Sequence, residues 1–523
     1  MQMRDHNLIA SSAAADLPPK VLEKIFAALR SESIAELGPS GDSGFRAPWV
    51  QAATWVCRRW REVALTTPAL WSTIRIRARA CEPEAINTLL KRAGEEDLEV
   101  VVNGLGLDMR EACALVQPHG QRISMLSIDF DELQTEMVQM LLMHLGPKLV
   151  NLQLFCDLPA VRYGLGLDPE KVSGLRTLVV RHIYVHPKTE ISSLTELQLD
   201  QLWGAGEREQ RGQLLYAILA RCPNLEILEL TDTIPRAELV KSGTLPMLEF
   251  PKMRSLAVNE LANDLPANLA YFKVPASAEL HITARYDSCP PEWDDETTVL
   301  PMHVLPGNQF ENFPMFAEET RDLSLTLGAR CCLPDIMVMG GNWCIDIPTM
   351  EDSAESTNRL PEFVFHVLDG LPHIVLRPEI VKFLDLHISQ HLPDFDDWAA
   401  LLSEFPNVLA LTVGGRRAFN AVIKALRAYK DDLLPKLFQL TACIAVKIDV
   451  NTKANARAFG ALLVERAAAG KSLKSLIVSV PEIPLNDATV RLAGSLVAHM
   501  ALRGGRVRVE RTACIACHGI HKH

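Results

Sequence analysis

At 523 residues the chain exceeds one ordinary hydrophobic core, so at least two units are expected, one of them a long repeat array. Hydrophobic residues at 48% and charged residues at 22% are the composition of a folded protein with ample core. A formal net charge of −11 argues against a phosphate backbone as the main partner, because such binding rests on clustered Lys and Arg. No run approaches the roughly 18 apolar residues that a membrane helix needs.

Residues 1–15 hold only Leu8, Ile9 and Ala10 as an apolar run, too short for a secretory signal core, and read as a disordered N-terminus. The expected location is the cytoplasm, the nucleus or both. The cysteines are scattered, with Cys113, Cys156, Cys222 and Cys443 inside apolar segments, as buried reduced thiols are. No structural disulfide is expected.

The first element is "DLPPKVLEKIFAALR". Pro18 and Pro19 open a helix whose apolar side is Val21, Leu22, Ile25, Phe26 and Leu29. "SESIAELGPSGDSG" follows as a flexible loop, placing an insertion at about 30–48. Next, Trp49, Ala52, Ala53, Val56, Trp60, Val63 and Ala64 form one continuous helical stripe, with Arg58, Arg61 and Glu62 on the opposite side. These arginines read as a solvated helix face, not as a nucleic-acid site, since the tryptophans that would stack on bases point mostly inward. Thr66-Thr67-Pro68 makes a turn, and Leu70-Trp71 adds an apolar anchor.

This segment resembles an F-box. The signature is Leu17-Pro18, then Leu22, Ile25, Phe26 and Leu29, then Val56-Cys57-Arg58-Arg59-Trp60, and finally Pro68-Ala69-Leu70-Trp71, all within residues 16–75. The spacer at 30–48 is longer than the family's usual one. The resemblance implies docking of a Skp-type adaptor, and through it a cullin, by Leu17, Pro18, Leu22, Ile25, Phe26, Leu29, Val56, Cys57 and Trp60.

Beyond residue 95 a motif recurs. "PKLVNLQL" (147–154), "PNLEILEL" (223–230), "PKMRSLAV" (251–258), "PNVLALTV" (406–413) and "PKLFQLTA" (435–442) share Pro, then Lys or Asn, then aliphatics at relative positions 1, 4 and usually 6. Copies without the proline start at Ile123, Leu175, Leu194, Val381 and Leu473. Such alternation is that of a short strand with one face in a core. Helical stretches such as "LQTEMVQMLLMHL" and "WAALLSEF" precede several copies, and Pro stops the helix. One helix and one strand cannot bury their apolar sides alone, so neighbours must stack.

Residues 95–510 therefore resemble leucine-rich repeats, with long loops at about 286–314 and 347–363 and a flexible tail at 511–523. The expected fold is α/β: a short N-terminal helical F-box followed by an irregular leucine-rich-repeat solenoid with a parallel sheet on the concave face. The whole resembles an F-box protein with C-terminal leucine-rich repeats, of the fungal type. Positions 3, 5 and 7 of each copy then face away from the core, which selects Asn151, Gln153, Phe155, Glu196, Gln198, Asp200, Ile227, Glu229, Thr231, Phe383, Asp385 and His387. Of these, Gln153, Phe155, Gln198, Asp200, Glu229, Asp385 and His387 are the candidate substrate-binding residues.

Few motifs suggest chemistry. Cys514-x-x-Cys517-His518 has haem-attachment spacing, and Cys514, Cys517, His521 and His523 have zinc-ligand types at cramped spacing; an exposed tail is the expected reading, with no metal and no cofactor. "GLGLD" at 104–108 and 164–168 lacks a third glycine and reads as repeat-ending turns. Cys331-Cys332 reads as a pair of core thiols. No P-loop, HExxH or GxSxG occurs, so a non-catalytic role is expected. The expected function is substrate recognition within an SCF-type ubiquitin ligase, of an unknown protein substrate and without nucleic acid or membrane. The alternative is a non-degradative leucine-rich-repeat scaffold or interaction protein.

Overall fold

The first helix begins at Pro19, where a missing amide hydrogen costs nothing, and runs as α1 (Pro19–Leu37). It thus continues through the first seven residues of the expected 31–44 loop. Ser31 accounts for part of this: its hydroxyl donates to the Ala27 carbonyl at 3.0 Å, so a residue that usually favours loops is satisfied inside the helix. The computed structural model describes residues 17–37, 50, 53–77, 83–103, 109–157, 165–168, 170–183, 185–187, 190–201, 215–233, 246–285, 304–318, 320–330, 333–347, 360–388, 395–414, 416–429, 432–443, 452–480, 498 and 506–511.

The expected continuous helix over 49–64 is broken. Cys57 is extended (φ −158°, ψ 170°) and caps α2 (Arg58–Thr66), its Sγ accepting from the Trp60 amide at 3.5 Å. A helical period places side chains on a stripe but does not reveal a single extended residue that resets the phase. A short 3-10 helix, Pro68–Trp71, then leads into the first strand.

The chain forms two units, Met1–Leu225 and Glu226–His523. The division falls inside the repeat stretch and not between a helical domain ending at 75 and an array starting at 95. In the first unit, β1 (Thr73–Arg77), β2 (Leu98–Asn103), β3 (Ile123–Phe130), β4 (Asn151–Cys156), β5 (Thr177–Arg181) and β6 (Glu196–Asp200) pair in that order, all parallel. The sheet therefore starts at Thr73, before the expected boundary. Helices α3 (Pro83–Arg92), α4 (Met109–Val116) and α5 (Thr135–Leu142) lie between successive strands in the chain.

In the second unit, β7 (Ile227–Thr231), β8 (Ser255–Leu261) and β9 (Glu279–Arg285) continue the parallel pattern. Then β10 (Asp322–Arg330), β11 (Leu333–Met339) and β12 (Trp343–Ile347) form an antiparallel meander whose order is reversed in space: β9 pairs with β12, and β10 pairs with β13 (Phe383–Ile388). From there β14 (Ala410–Gly414), β15 (Gln439–Cys443), β16 (Ser475–Val480) and β17 (Arg506–Arg511) are parallel again. Helices α6 (Leu360–Ile374), α7 (Phe395–Ser403), α8 (Arg416–Ala428) and α9 (Thr452–Ala468) alternate with these strands.

Parallel strands joined by helical crossovers must be covered on at least one face, and here the covered face is set by period two. In β4, Leu152, Leu154 and Cys156 are buried while Asn151, Gln153 and Phe155 are not; the same alternation runs through β5, β6, β7, β8 and β13. Every Pro-led copy of the motif and every degenerate copy coincides with a strand, from β3 to β8 and from β13 to β16.

Several expectations fail locally. Within the stretch expected to be a loop over 286–314, Val304, Leu305 and Phe313 are buried and Gln309–Asn312 is helical. Within the second, Ile347 ends β12 and residues 360–363 open α6. In both cases Pro and acidic residues outweighed the apolar residues beside them. The second GLGLD contributes a strand, Leu165–Leu167, paired with Val185–Pro187, and not a turn. The first GLGLD, Cys331-Cys332, and the tail cysteines and histidines lie outside the described residues. Among the described residues no helix is long and apolar enough to cross a membrane, and no group of three metal-ligating side chains converges.

Candidate functional site

The helical end of the first unit is built from both sides of α1. Leu22 and Phe26 are fully buried, and the Phe26 ring meets Trp60 edge to face at 5.3 Å. Phe26 thus packs α1 against α2, and Leu22, the other expected adaptor contact here, is buried within the fold. Ile25, Leu29, Cys57 and Trp60 are half-buried, Leu17 is half-buried and Pro18 is exposed. What does face outward is Val21 at 41% exposure, Trp55 at 71% and Val56 at 52%. Helical periodicity could not have separated Val21 from Leu22, because α1 is apolar on a broad arc and only the partner helix decides which side is inside.

The opposite side of this region is fastened to the sheet. Arg30 donates to the Ala69 carbonyl at 2.7 Å and to the Thr73 hydroxyl, and lies 3.7 Å from Glu99 of β2. The Thr73 hydroxyl in turn donates to Glu99 at 2.7 Å. Burial lowers the pKa of Arg30, and the Glu99 charge opposes that shift. Val21 therefore stands on a helix braced against the sheet, while Trp55 and Val56 lie in the bend before the helix whose Trp60 meets Phe26.

On the sheet face of the first unit, register brings the expected residues into rows. Ser127, Gln153, Val179 and Gln198 are neighbours across β3 to β6, and Asp129, Phe155, Arg181 and Asp200 form the next row. Arg181 donates to Asp200 at 2.6 Å and lies 5.7 Å from the centroid of the Phe155 ring, so three of the four side chains in that row are mutually engaged. Gln198 donates to Glu196 at 3.0 Å. Asp129 was missed, since nothing local in the sequence tells that its neighbours lie one repeat away on each side.

Asp129 has a raised pKa, first because burial disfavours its charge, with Arg181 lowering it and Asp157 raising it further. The folded chain thus holds that proton more tightly than the unfolded chain. Ionised Asp129 opposes folding at neutral pH, and the opposition fades as pH falls through the folded pKa. Asp129→Asn is expected to raise the thermal midpoint at pH 7, with the gain shrinking on acidification into the carboxylate range. A midpoint gain that is the same at every pH would contradict this account.

On the sheet face of the second unit, Glu229 is exposed, and Asp385 and His387 are half-buried. His387 Nε2 lies 2.8 Å from Asp385 Oδ1. The imidazole lies over Gly414 on β14, where any Cβ would collide with the ring, so glycine there is what lets His387 lie flat beside Asp385. Burial pushes the thiol of Cys113 up to about 11, that of Cys222 to about 12 and that of Cys344 to about 11, which disfavours the thiolate at these three positions.

Residues 14–77 match the family model described as F-box-like. No curated protein matches the chain. Among solved structures, the leucine-rich repeat-containing protein LegL7 from Legionella pneumophila is similar at 11% identity, over 74% of this chain and 94% of that one, with a TM-score of 0.22.

Proposed function

We propose that this chain is the substrate-recognition subunit of an SCF-type ubiquitin ligase. Its F-box-like helices dock a Skp-type adaptor and through it a cullin, and its strand-and-helix repeats form a leucine-rich-repeat solenoid that holds a protein substrate. The observation that carries this reading is the exposure of Val21 on α1 and of Trp55 and Val56 in the bend before α2, with α1 tied to the sheet through Arg30. Large apolar side chains held outward on a braced support are anchors for a partner protein. The chain contributes no chemistry in this role. It raises the effective concentration of substrate near the ubiquitin donor, which makes transfer nearly intramolecular. The substrate side is the sheet face bearing Gln153, Phe155, Gln198, Asp200, Glu229, Asp385 and His387, and the place of action is the cytoplasm or nucleus.

Capture of a purified Skp-type adaptor tests this directly. Trp55→Ala with Val56→Ala is expected to weaken capture by about tenfold or more, the effect of truncating a central apolar anchor. Leu22→Ala would also reduce capture, but by loosening the helix pair. Adaptor capture that survives Trp55→Ala/Val56→Ala at unchanged strength, in a folded chain, overturns the docking assignment. The non-degradative scaffold differs in one respect: its partner's lifetime would not depend on those two residues.

A further inference from the structure

At the head of the sheet in the second unit, the ladder of backbone hydrogen bonds runs one residue beyond β13 to β16. The Lys382 amide donates to the Arg321 carbonyl at 2.7 Å, Leu409 to Lys382 at 2.8 Å, Phe438 to Leu409 at 2.9 Å and Lys474 to Phe438 at 2.8 Å. Arg321, Lys382, Leu409, Phe438 and Lys474 therefore stand in one row, each directly ahead of a residue of the next row: Asp322, Phe383, Ala410, Gln439 and Ser475. Arg321, Phe438 and Lys474 are exposed, and Lys382 and Leu409 are half-buried.

Cations thus stand at both ends of the row and an apolar pair stands between them, in a chain whose net charge is −11. Among the described residues none of Arg321, Lys382 and Lys474 has an ion-pair partner. Arg321 and Lys382 are moreover adjacent, and like charges side by side on neighbouring strands are unfavourable until an anion joins them. The next row adds one acid, Asp322, and one cation, Arg506, so the positive charge of this edge is that of the first row. Glu379, in the turn before β13, is already engaged by Arg377.

We infer that this edge binds an acidic segment of a partner protein with the pattern acid-x-apolar-x-acid. Lys382 and Lys474 are separated by the steps from β13 to β14, β15 and β16, a span of about 14 Å. An extended segment laid across the strands advances about 3.4 Å per residue and points alternate side chains the same way. Acids four apart therefore span that distance, and the residue midway meets Leu409 and Phe438. Arg321 adds a second cation at the Lys382 end. A polynucleotide would instead set a charged phosphate over the apolar pair, and the net charge of the chain repels it. The inference names the class of segment that the sheet side receives and rests on the reading of that side as the substrate side, while adaptor docking does not enter it.

The test uses the full chain without adaptor and a short labelled peptide with Glu-Ser-Leu-Ser-Glu at its centre. One counterpart carries lysine in place of both glutamates, a second carries serine in place of leucine, and a labelled oligothymidylate of matched length serves as a polyanion that is not a peptide. Binding is followed by fluorescence anisotropy. The acidic peptide is expected to bind about tenfold or more tightly than the lysine peptide, and to weaken as salt rises. Loss of its leucine should weaken it about fivefold or more. Lys382→Gln/Lys474→Gln should lower its affinity about tenfold, and Lys382→Glu/Lys474→Glu should turn the preference toward the lysine peptide.

Failure of the acidic peptide to bind, equal binding of any two of the three peptides, tighter binding of the oligothymidylate, or unchanged binding by the folded Lys382→Gln/Lys474→Gln variant each overturns the inference. If that variant does not fold, Lys474→Gln, at an exposed position, carries the same comparison at smaller amplitude. Adaptor capture by the double variant is measured in parallel and should be unaltered. Loss of adaptor docking with retained peptide binding would remove the ligase role and leave the acidic-segment site standing.

Discussion

Trp71→Ala is expected to destabilise the first unit by about 3–5 kcal/mol, the range for emptying a buried aromatic site. Trp71 is 2% exposed, its indole nitrogen donates to the Ala64 carbonyl at 2.8 Å, and the Arg92 guanidinium lies 4.7 Å from its ring centroid. One side chain thus ties α2, α3 and the approach to β1 together. Its removal opens a cavity, strands the Ala64 carbonyl and releases Arg92. Denaturant unfolding measures the loss directly. Trp55→Ala is the matched control: at an exposed position it should shift stability by about 0.5 kcal/mol or less while reducing adaptor capture. If both variants lose stability alike, the division of these tryptophans into inner brace and outer anchor is wrong.

The second large effect is expected at Arg466, which is 2% exposed on α9. Its Nη2 donates to the Leu434 carbonyl at 2.9 Å and to Leu437 at 3.4 Å, its Nη1 to Leu433 at 3.4 Å, and its Nε to Lys471 at 3.2 Å. Leu434 has a φ of 47°, a conformation L side chains rarely adopt, so the guanidinium stabilises a turn that is itself unfavourable. Arg466→Met keeps most of the volume and removes every donor. Each buried carbonyl left unpaired costs about 1–3 kcal/mol, so a loss of at least about 3 kcal/mol is expected. Arg466→Lys should recover little, because a single ammonium cannot span acceptors that a planar fork reaches together. An equilibrium unfolding change under about 1 kcal/mol for Arg466→Met would refute this role.

The strands that carry Pro-led motifs were legible because their signal is local: a helix stop followed by aliphatics at period two. The same period selected Gln153, Phe155, Glu229 and Asp385 as outward-facing, since flipping one residue flips the face. β1 escaped notice although Ile74 and Ile76 alternate properly, because no proline-led turn announces it. The reversed placement of the meander β10 to β12 escaped for a different reason, as its outer pairings with β9 and β13 depend on strands distant in the chain. Inner and outer residues of α1 were inseparable in sequence, so Leu22 and Phe26 were grouped with exposed Pro18. The neighbours that perturb Asp129 are far apart in the chain, and only the sheet register brings Arg181 to it.

The reversed order of the meander bears on how the second unit reaches its native state. Elsewhere, neighbouring strands come from adjacent repeats, as with Ser255 opposite Glu279 and Ala410 opposite Gln439, so each pairing closes a short loop. At the meander, Leu280 must find Trp343 and Asp322 must find Phe383, loops more than twice as long as the first of those. Contacts distant in sequence form late, while arrays of local contacts nucleate independently. The flanks β7 to β9 and β13 to β17 can therefore assemble as separate nuclei, and the meander is the keystone that joins them last. Amide exchange during refolding should protect the flanks and the hairpin pairings of β11 before the β9–β12 and β10–β13 seams, and a nascent chain leaving the ribosome must wait for Phe383 before the second seam can close.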